Sequence, residues 1–221
     1  LGRMGADEHE QPRTAAALRA RLRHIYWIGG GSGAGKSTIA GNLAARHGLR
    51  VYSTDDAMRE HAARSTRENS PWLSRFAAMS MDERWVDRSP ETMLDTFHWY
   101  RGEGFHFIVD DLLCSSSETG VIAEGFRLLP HLIAPLLTER SRGVWLLPSP
   151  AFRRAAFDKR GWEIPGKTRD PERAARNLLE RDRLFTNRLR TESTRLGLPV
   201  IDVDTVSEED LTNRVGQVLG L

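Results

Sequence analysis

The run Gly30-Gly31-Ser32-Gly33-Ala34-Gly35-Lys36-Ser37 sets four glycines, a lysine and a hydroxyl in a fixed order. It fits the spacing G-x-x-x-x-G-K-[ST] in full. Glycines permit φ values and a closeness of approach that a Cβ forbids. Backbone N–H groups from Gly33 to Ser37 can therefore turn inward on an anion, helped by the positive end of a following helix. In that arrangement Lys36 reaches the β- and γ-phosphates of a nucleotide and the Ser37 hydroxyl ligates Mg²⁺. The nucleotide-binding set is then Gly30, Gly31, Ser32, Gly33, Ala34, Gly35, Lys36, Ser37 and Thr38. A ligand-free glycine turn would share the composition. The motif, however, also needs a strand before it and a helix after it, and the flanking sequence supplies both.

Carboxylates follow at two further places. Asp55 and Asp56 follow a short strand, Val51-Tyr52-Ser53, after Thr54. A strand lying close to the first one would carry Asp55 to the γ-phosphate, where it could accept or orient the proton of an acceptor hydroxyl. Aspartate is also a favoured N-cap, so one of the pair could cap the next helix while the other acts. Glu124 ends the apolar run Val121-Ile122-Ala123 ahead of Gly125, which suits a carboxylate held near Mg²⁺ directly or through water. The competing acids are Asp110 and Asp111, after Phe107-Ile108-Val109. That run continues a helical stripe begun at Met93, whereas 121–124 is short and bounded by glycines, so Glu124 is preferred.

Between Arg153 and Arg195 there are eleven arginines and two lysines. The early members, Arg153, Arg154, Lys159, Arg160, Lys167 and Arg169, surround Gly161 and Gly166 and read as a mobile loop. Such a loop could stabilise equatorial phosphoryl charge while shutting out water, with Arg153 and Arg154 as the catalytic pair. The later arginines lie on a helix among Glu172, Glu180, Asp182 and Glu192 and read as a salt-bridged exposed face.

The elements that must position these residues can be read in order. Residues 14–22 have helical composition. His24-Ile25-Tyr26-Trp27-Ile28 is a buried strand by length and content, and Lys36 to His47 a helix stopped by Gly48. About 60 residues of helical, aromatic-rich sequence follow, with Ser89-Pro90 as a capped helix start. Met93, Leu94, Phe97 and Tyr100 share a face there, and Gly102 and Gly104 break or bend the stripe. Further strands are 121–125, 143–147 and 198–203. Helices are expected near 132–138, from about Pro171 to Leu196, and after Ser207. Strands separated by helices imply a parallel sheet with right-handed crossovers. The expected fold is α/β: three layers around a five-stranded parallel sheet, with ligands at the carboxyl ends of the strands.

The chain of 221 residues suits a single domain over 14–221, with a helical insertion at about 57–118, a lid at about 151–172 and a disordered tail at 1–13. Hydrophobic residues make up 39% and charged residues 28%, ordinary for a globular protein. A net charge of +2 is too small to argue for nucleic acid or membrane partners. Cys114 is the single cysteine, which rules out an internal disulfide and a thiol-rich metal site. No apolar run reaches the length of a membrane span, and the first dozen residues lack the apolar core of a signal peptide. A cytoplasmic monomer or homodimer acting on a small molecule is the expectation.

On the phosphate loop and this organisation, the chain resembles the P-loop kinases of small molecules and nucleotides, the nucleoside monophosphate kinase-like group. The resemblance implies an ATP- and Mg²⁺-dependent transfer of the γ-phosphoryl group to a hydroxyl or phosphate of a small acceptor. Val51-Tyr52-Ser53-Thr54-Asp55 is similar to the D-[ST]-D segment of shikimate kinase. Asp55 matches its second aspartate, and Ser53 stands where the first is expected. A similarly placed base in chloramphenicol phosphotransferase matches Asp55 too. Val121 to Gly125 resembles the strand ending in Glu-Gly of uridine kinase-like enzymes. Arg153–Arg173 is in the position of the family lid, and Thr205-Val206-Ser207 in that of the loop that packs on adenine. Trp72, Trp85, Trp99 and Tyr100 could line an aromatic acceptor pocket or serve the core. A nucleotide-dependent switch binding a protein partner would use the same loop. The chain lacks the N-K-x-D type of guanine signature.

Overall fold

A computed structural model describes residues 14–221; the expected tail at 1–13 lies outside the described residues. Five parallel strands form one sheet in the order β2-β3-β1-β4-β5. They are β1 Ile25–Gly30, β2 Arg50–Ser53, β3 Val121–Glu124, β4 Gly143–Pro148 and β5 Val200–Val203. The strand β2 is therefore not the neighbour of β1: β3 lies between them and pairs with both. Burial explains the order. All four residues of β3 and all six of β4 are buried, as sequences covered on both faces must be, whereas β2 is a partly exposed edge.

Side chains alternate strictly across the sheet. Trp27, Val121, Ala123, Trp145 and Leu147 point into one core, which is closed by Leu112, Phe185 and Leu189. Ile28, Ile122, Val144, Leu146 and Ile201 point into the other. The second core is closed by helices α2 Lys36–His47 and α11 Glu208–Leu219, through Ile39, Leu43, Leu211 and Val215. The first is covered by α1 Ala15–Arg21, α7 Phe105–Cys114, α8 Pro130–Ile133 and the long α10 Pro171–Leu196. Helix α10 has the span expected from sequence. Helix α2 likewise begins at Lys36 and stops at Gly48, whose left-handed φ of 65° is that of a C-terminal glycine cap.

The insertion is a run of short helices: α3 Thr54–Arg64, α4 Pro71–Ala77, α5 Met81–Trp85 and α6 Pro90–Thr96, then a 3-10 turn His98–Arg101 leading to α7. Ser89 caps α6 by accepting the Thr92 amide, as expected. The stripe does break: α6 ends at Thr96, the 3-10 turn follows, and Gly102 and Gly104, both with positive φ, precede α7. Trp85, Val86 and Met93 pack on Ala174 and Leu178 of α10, which anchors the insertion to the body.

Three expectations change. Asp55 and Asp56 do not cap a helix at Ala57; α3 begins earlier, at Thr54, with Ser53 as N-cap, and both acids sit in its first turn. The early arginine stretch is a loop only in its second half, at 161–170, where Lys167 and Arg169 lie. Residues Pro150–Arg160 form helix α9, capped by Ser149 and started by Pro150, the same signal as at 89–90. Arg181 and Asp182 do not belong to a solvated face: both are buried, and they pair with each other at 2.8 Å. Among the described residues no helix is long and apolar enough to cross a membrane.

Candidate nucleotide and phosphate site

Sheet register assembles the site. Ile28 of β1 and Ser53 of β2 are both partnered by Glu124 at the end of β3. The carboxylate therefore lies between the start of the glycine loop and the start of α3. Ser37 Oγ donates to Glu124 Oε1 at 3.1 Å, across 87 residues of chain. Gly125 must follow without a side chain: its φ is +146°, and a Cβ there would stand 1.7 Å from Thr54 Oγ1.

The loop Gly31 to Gly35 leads from β1 to α2, with Gly33 and Gly35 at φ values of 77° and 82°. Gly29 and Gly30 belong to the strand, and an added Cβ on Gly30 would meet the Leu146 carbonyl at 2.2 Å. Lys36 folds back so that Nζ donates to the Gly31 carbonyl at 2.8 Å. Burial pushes its ammonium below its ordinary range, against the pull of Asp55 and Glu124 nearby.

A cleft of about 200 Å³ is lined by Ser32, Gly33, Lys36, Ser37, Asp55, Glu124, Phe126 and Arg160 among others. It shares Gly33, Gly35, Thr38 and Arg160 with a second hollow of about 580 Å³. Apolar Ile39, Phe152, Val206 and Leu211 face that larger space. One compartment is thus polar, with amides, a lysine and two carboxylates. The other is apolar and wide enough for a flat heterocycle.

Most residues singled out in the sequence meet here. Lys36, Ser37, Thr38, Asp55 and Glu124 line the polar cleft, and Val206 lines the apolar one. The two arginines assigned to catalysis do not. Arg153 is buried under the loop and donates Nε to the Ser32 carbonyl at 3.2 Å. Arg154 lies on an exposed part of α9, paired with Asp158 one turn on. The helical period decides this: Arg160, seven residues beyond Arg153, lies near the end of α9 beside the cleft. Sequence reasoning named Arg160 only as one of six basic residues in a loop and did not single it out, because it treated 153–160 as loop. The Ser149-Pro150 cap would have revealed the helix and hence its faces.

Asp110 and Asp111, the rival acids, lie on α7. Asp111 accepts hydrogen bonds from Tyr52 Oη at 2.6 Å and from His61 Nε2 at 2.7 Å. The other His61 nitrogen, Nδ1, faces Arg127 Nη1 at 3.0 Å. A guanidinium can only donate, so Nδ1 accepts and the proton resides on Nε2 of a neutral ring. Arg127 also donates to the Gly104 carbonyl at 3.2 Å and lies over the Trp99 ring at 4.1 Å. This buried set had no signal in the sequence. It braces the turn that carries Asp55. Trp85, Trp99 and Tyr100 are core residues, and Trp72 is half-buried between Arg75 and Arg101.

Burial lowers the pKa of His24, His61 and His98, the last to about 3 with help from Arg127 and Arg181. The folded chain thus keeps these rings neutral, while the unfolded chain takes up protons below about pH 6.5. Stability is therefore full above that pH and declines as pH falls through 6.5. His98 alone contributes about 2 kcal/mol of loss by pH 5. Urea unfolding midpoints measured from pH 7.5 to 5 are expected to drop steadily, and His98→Leu to flatten the slope. A flat wild-type profile would refute this.

Residues 29–125 match the family model described as AAA domain. The chain has no match among curated proteins. Among solved structures it is similar to an uncharacterized protein from Eubacterium ventriosum ATCC 27560. Identity is 15% and the TM-score 0.47, with 89% of this chain and 97% of that one covered. It is also similar to the deoxyadenosine kinase from M. mycoides with bound dCTP. Identity is 13% and the TM-score 0.46, with 89% and 98% covered. The phosphate-loop motif Gly30–Ser37 lies within the matched segment, and the parallel sheet around it gives the chain a P-loop α/β fold.

Proposed function

We propose that the protein moves the γ-phosphoryl group of ATP to a hydroxyl or phosphate of a small molecule. The observation that carries this reading is the meeting of Lys36, Ser37, Asp55, Glu124 and Arg160 on one cleft that opens into an apolar hollow. A nucleotide base fits the hollow, against Phe152 and Val206. The phosphates fit the amides of Gly33 to Ser37, with Lys36 at the terminal pair. Ser37 Oγ and Glu124, 3.1 Å apart, form an oxygen pair suited to Mg²⁺. An ion held there would neutralise charge on the phosphates. Lys36 and Arg160 bring positive charge to the side where negative charge develops. Asp55 is the one carboxylate of the cleft besides Glu124, and its role is to accept or orient the acceptor proton.

The test is ATP consumption with Mg²⁺ across nucleosides, nucleoside monophosphates, shikimate-like acids and aminoglycoside or phenicol antibiotics, with Lys36→Ala as the blank. One acceptor class is expected to raise turnover well above the acceptor-free rate. A slow basal rate that no acceptor changes would count against phosphoryl transfer and favour a nucleotide-dependent switch. Glu124→Gln should raise the Mg²⁺ concentration needed for half-maximal turnover about 10–100-fold, the range found when a ligand shell is weakened. An unaltered Mg²⁺ titration would remove Glu124 from that role.

A further inference from the structure

Arg153 is a large, buried cation that the proposed chemistry does not use. It is 1% exposed, and Gly31, Gly33 and Thr186 pack against it. A Cβ on Gly31 would meet Thr186 Oγ1 at 2.7 Å and Arg153 Nη2 at 3.2 Å; one on Gly33 would meet Arg153 Cγ at 3.3 Å. The crown of the phosphate loop therefore rests directly on these two side chains.

Hydrogen bonds continue inward from there. Arg153 donates Nε to the Ser32 carbonyl at 3.2 Å and Nη2 to Thr186 Oγ1. Thr186 Oγ1 donates to the Asp182 carbonyl at 2.9 Å. Asp182 Oδ1 accepts from Arg181 at 2.8 Å and from Tyr100 Oη at 3.0 Å. Tyr100 stacks on Phe185 with ring centroids 3.8 Å apart. The path runs from the loop through α9 and α10 to the 3-10 turn of the insertion.

The peptide plane turns this into a device. In a trans peptide the carbonyl and the following N–H point in opposite directions. Drawing the Ser32 carbonyl onto Arg153 therefore aims the Gly33 N–H away from Arg153, towards the cleft. Glycine at 33, with positive φ, has no steric preference that would hold this orientation by itself.

We propose that Arg153 is a positioning residue that sets the amide direction of the phosphate loop, and that Thr186, Asp182 and Tyr100 hold it there. This rests on the reading of Gly30–Ser37 as a triphosphate site, so the experiment has one arm that does not. In the unliganded full chain, amide hydrogen exchange over residues 31–35 should speed up about tenfold or more in Arg153→Met. The expected change is that of losing a charged hydrogen bond. Unchanged exchange overturns the proposal whatever the protein binds.

The second arm measures binding of a non-hydrolysable ATP analogue and of adenosine by calorimetry. Arg153→Met should weaken the analogue about tenfold or more and leave adenosine within about twofold. Arg153→Lys should recover part of the loss. Equal losses for both ligands would mean general damage and overturn the positioning role. A wild-type chain that binds neither ligand would sink the nucleotide reading, with the exchange arm still deciding the role of Arg153 in the loop. If Arg153→Met does not fold, Thr186→Val, which keeps side-chain volume, replaces it in both arms with the same expected directions.

Discussion

Lys36→Ala is expected to lower turnover about a thousandfold while leaving the fold intact. Deleting a single preorganised donor to developing charge costs about 10²–10³ in rate. Here the ammonium also feels the charges of both Asp55 and Glu124. Without it, two carboxylates face incoming phosphates with less positive charge to balance them. Stability should move the other way. Burial disfavours the charged lysine in the folded state, so removing it relieves a desolvation cost and thermal unfolding should not fall. Lys36→Arg should fail to rescue turnover, because a bulkier planar guanidinium does not replace the compact ammonium that folds back on the Gly31 carbonyl. Acceptor-dependent ATP consumption and a thermal melt check both halves. Turnover within tenfold of wild type would remove Lys36 from its assigned place.

Asp55→Asn separates binding from chemistry. The side chain is exposed in the first turn of α3 and, among the described residues, accepts no hydrogen bond. The substitution therefore leaves packing and the nucleotide compartment untouched. A positioned general base contributes about 10²–10⁴-fold, and turnover should fall by that amount. Affinity for the ATP analogue should stay within about threefold, since Asp55 does not line the apolar hollow. Steady-state rates beside calorimetric binding make the comparison. Equal effects on both would assign Asp55 to nucleotide binding, and an effect on neither would return it to being a first-turn acid that favours the helix dipole.

Much of the fold was legible because its signals are local. The loop, its strand and α2 with the Gly48 stop are adjacent in sequence, and the Ser89 cap adjoins the helix it starts. Helix α9 was missed although Ser149-Pro150 announces it. A cluster of arginines around Gly161 and Gly166 looked like a loop, and packing of Phe157 against the body outweighed that composition. Arg153 and Arg154 do not line the cleft for the same reason. On a helix, neighbours in sequence point to different sides, so Arg153 went under the loop and Arg154 to solvent, while Arg160, two turns on along the face of Arg153, reached the cleft.

The amino-acid sequence by itself determined the glycine loop and its place between a strand and a helix. A cradle of backbone amides needs only glycines, a lysine and a hydroxyl at fixed spacing, and all of these lie within eight consecutive residues. Which acid would join them was settled by tertiary structure. Glu124 meets Ser37 only because β3 inserts between β1 and β2 in one register, and that order depends on which strands can be buried on both faces. The same holds for the brace of His61, Arg127 and Asp111. Each member is an ordinary polar residue in the sequence, and contact between segments 50 to 66 residues apart gives the set its place beneath Asp55.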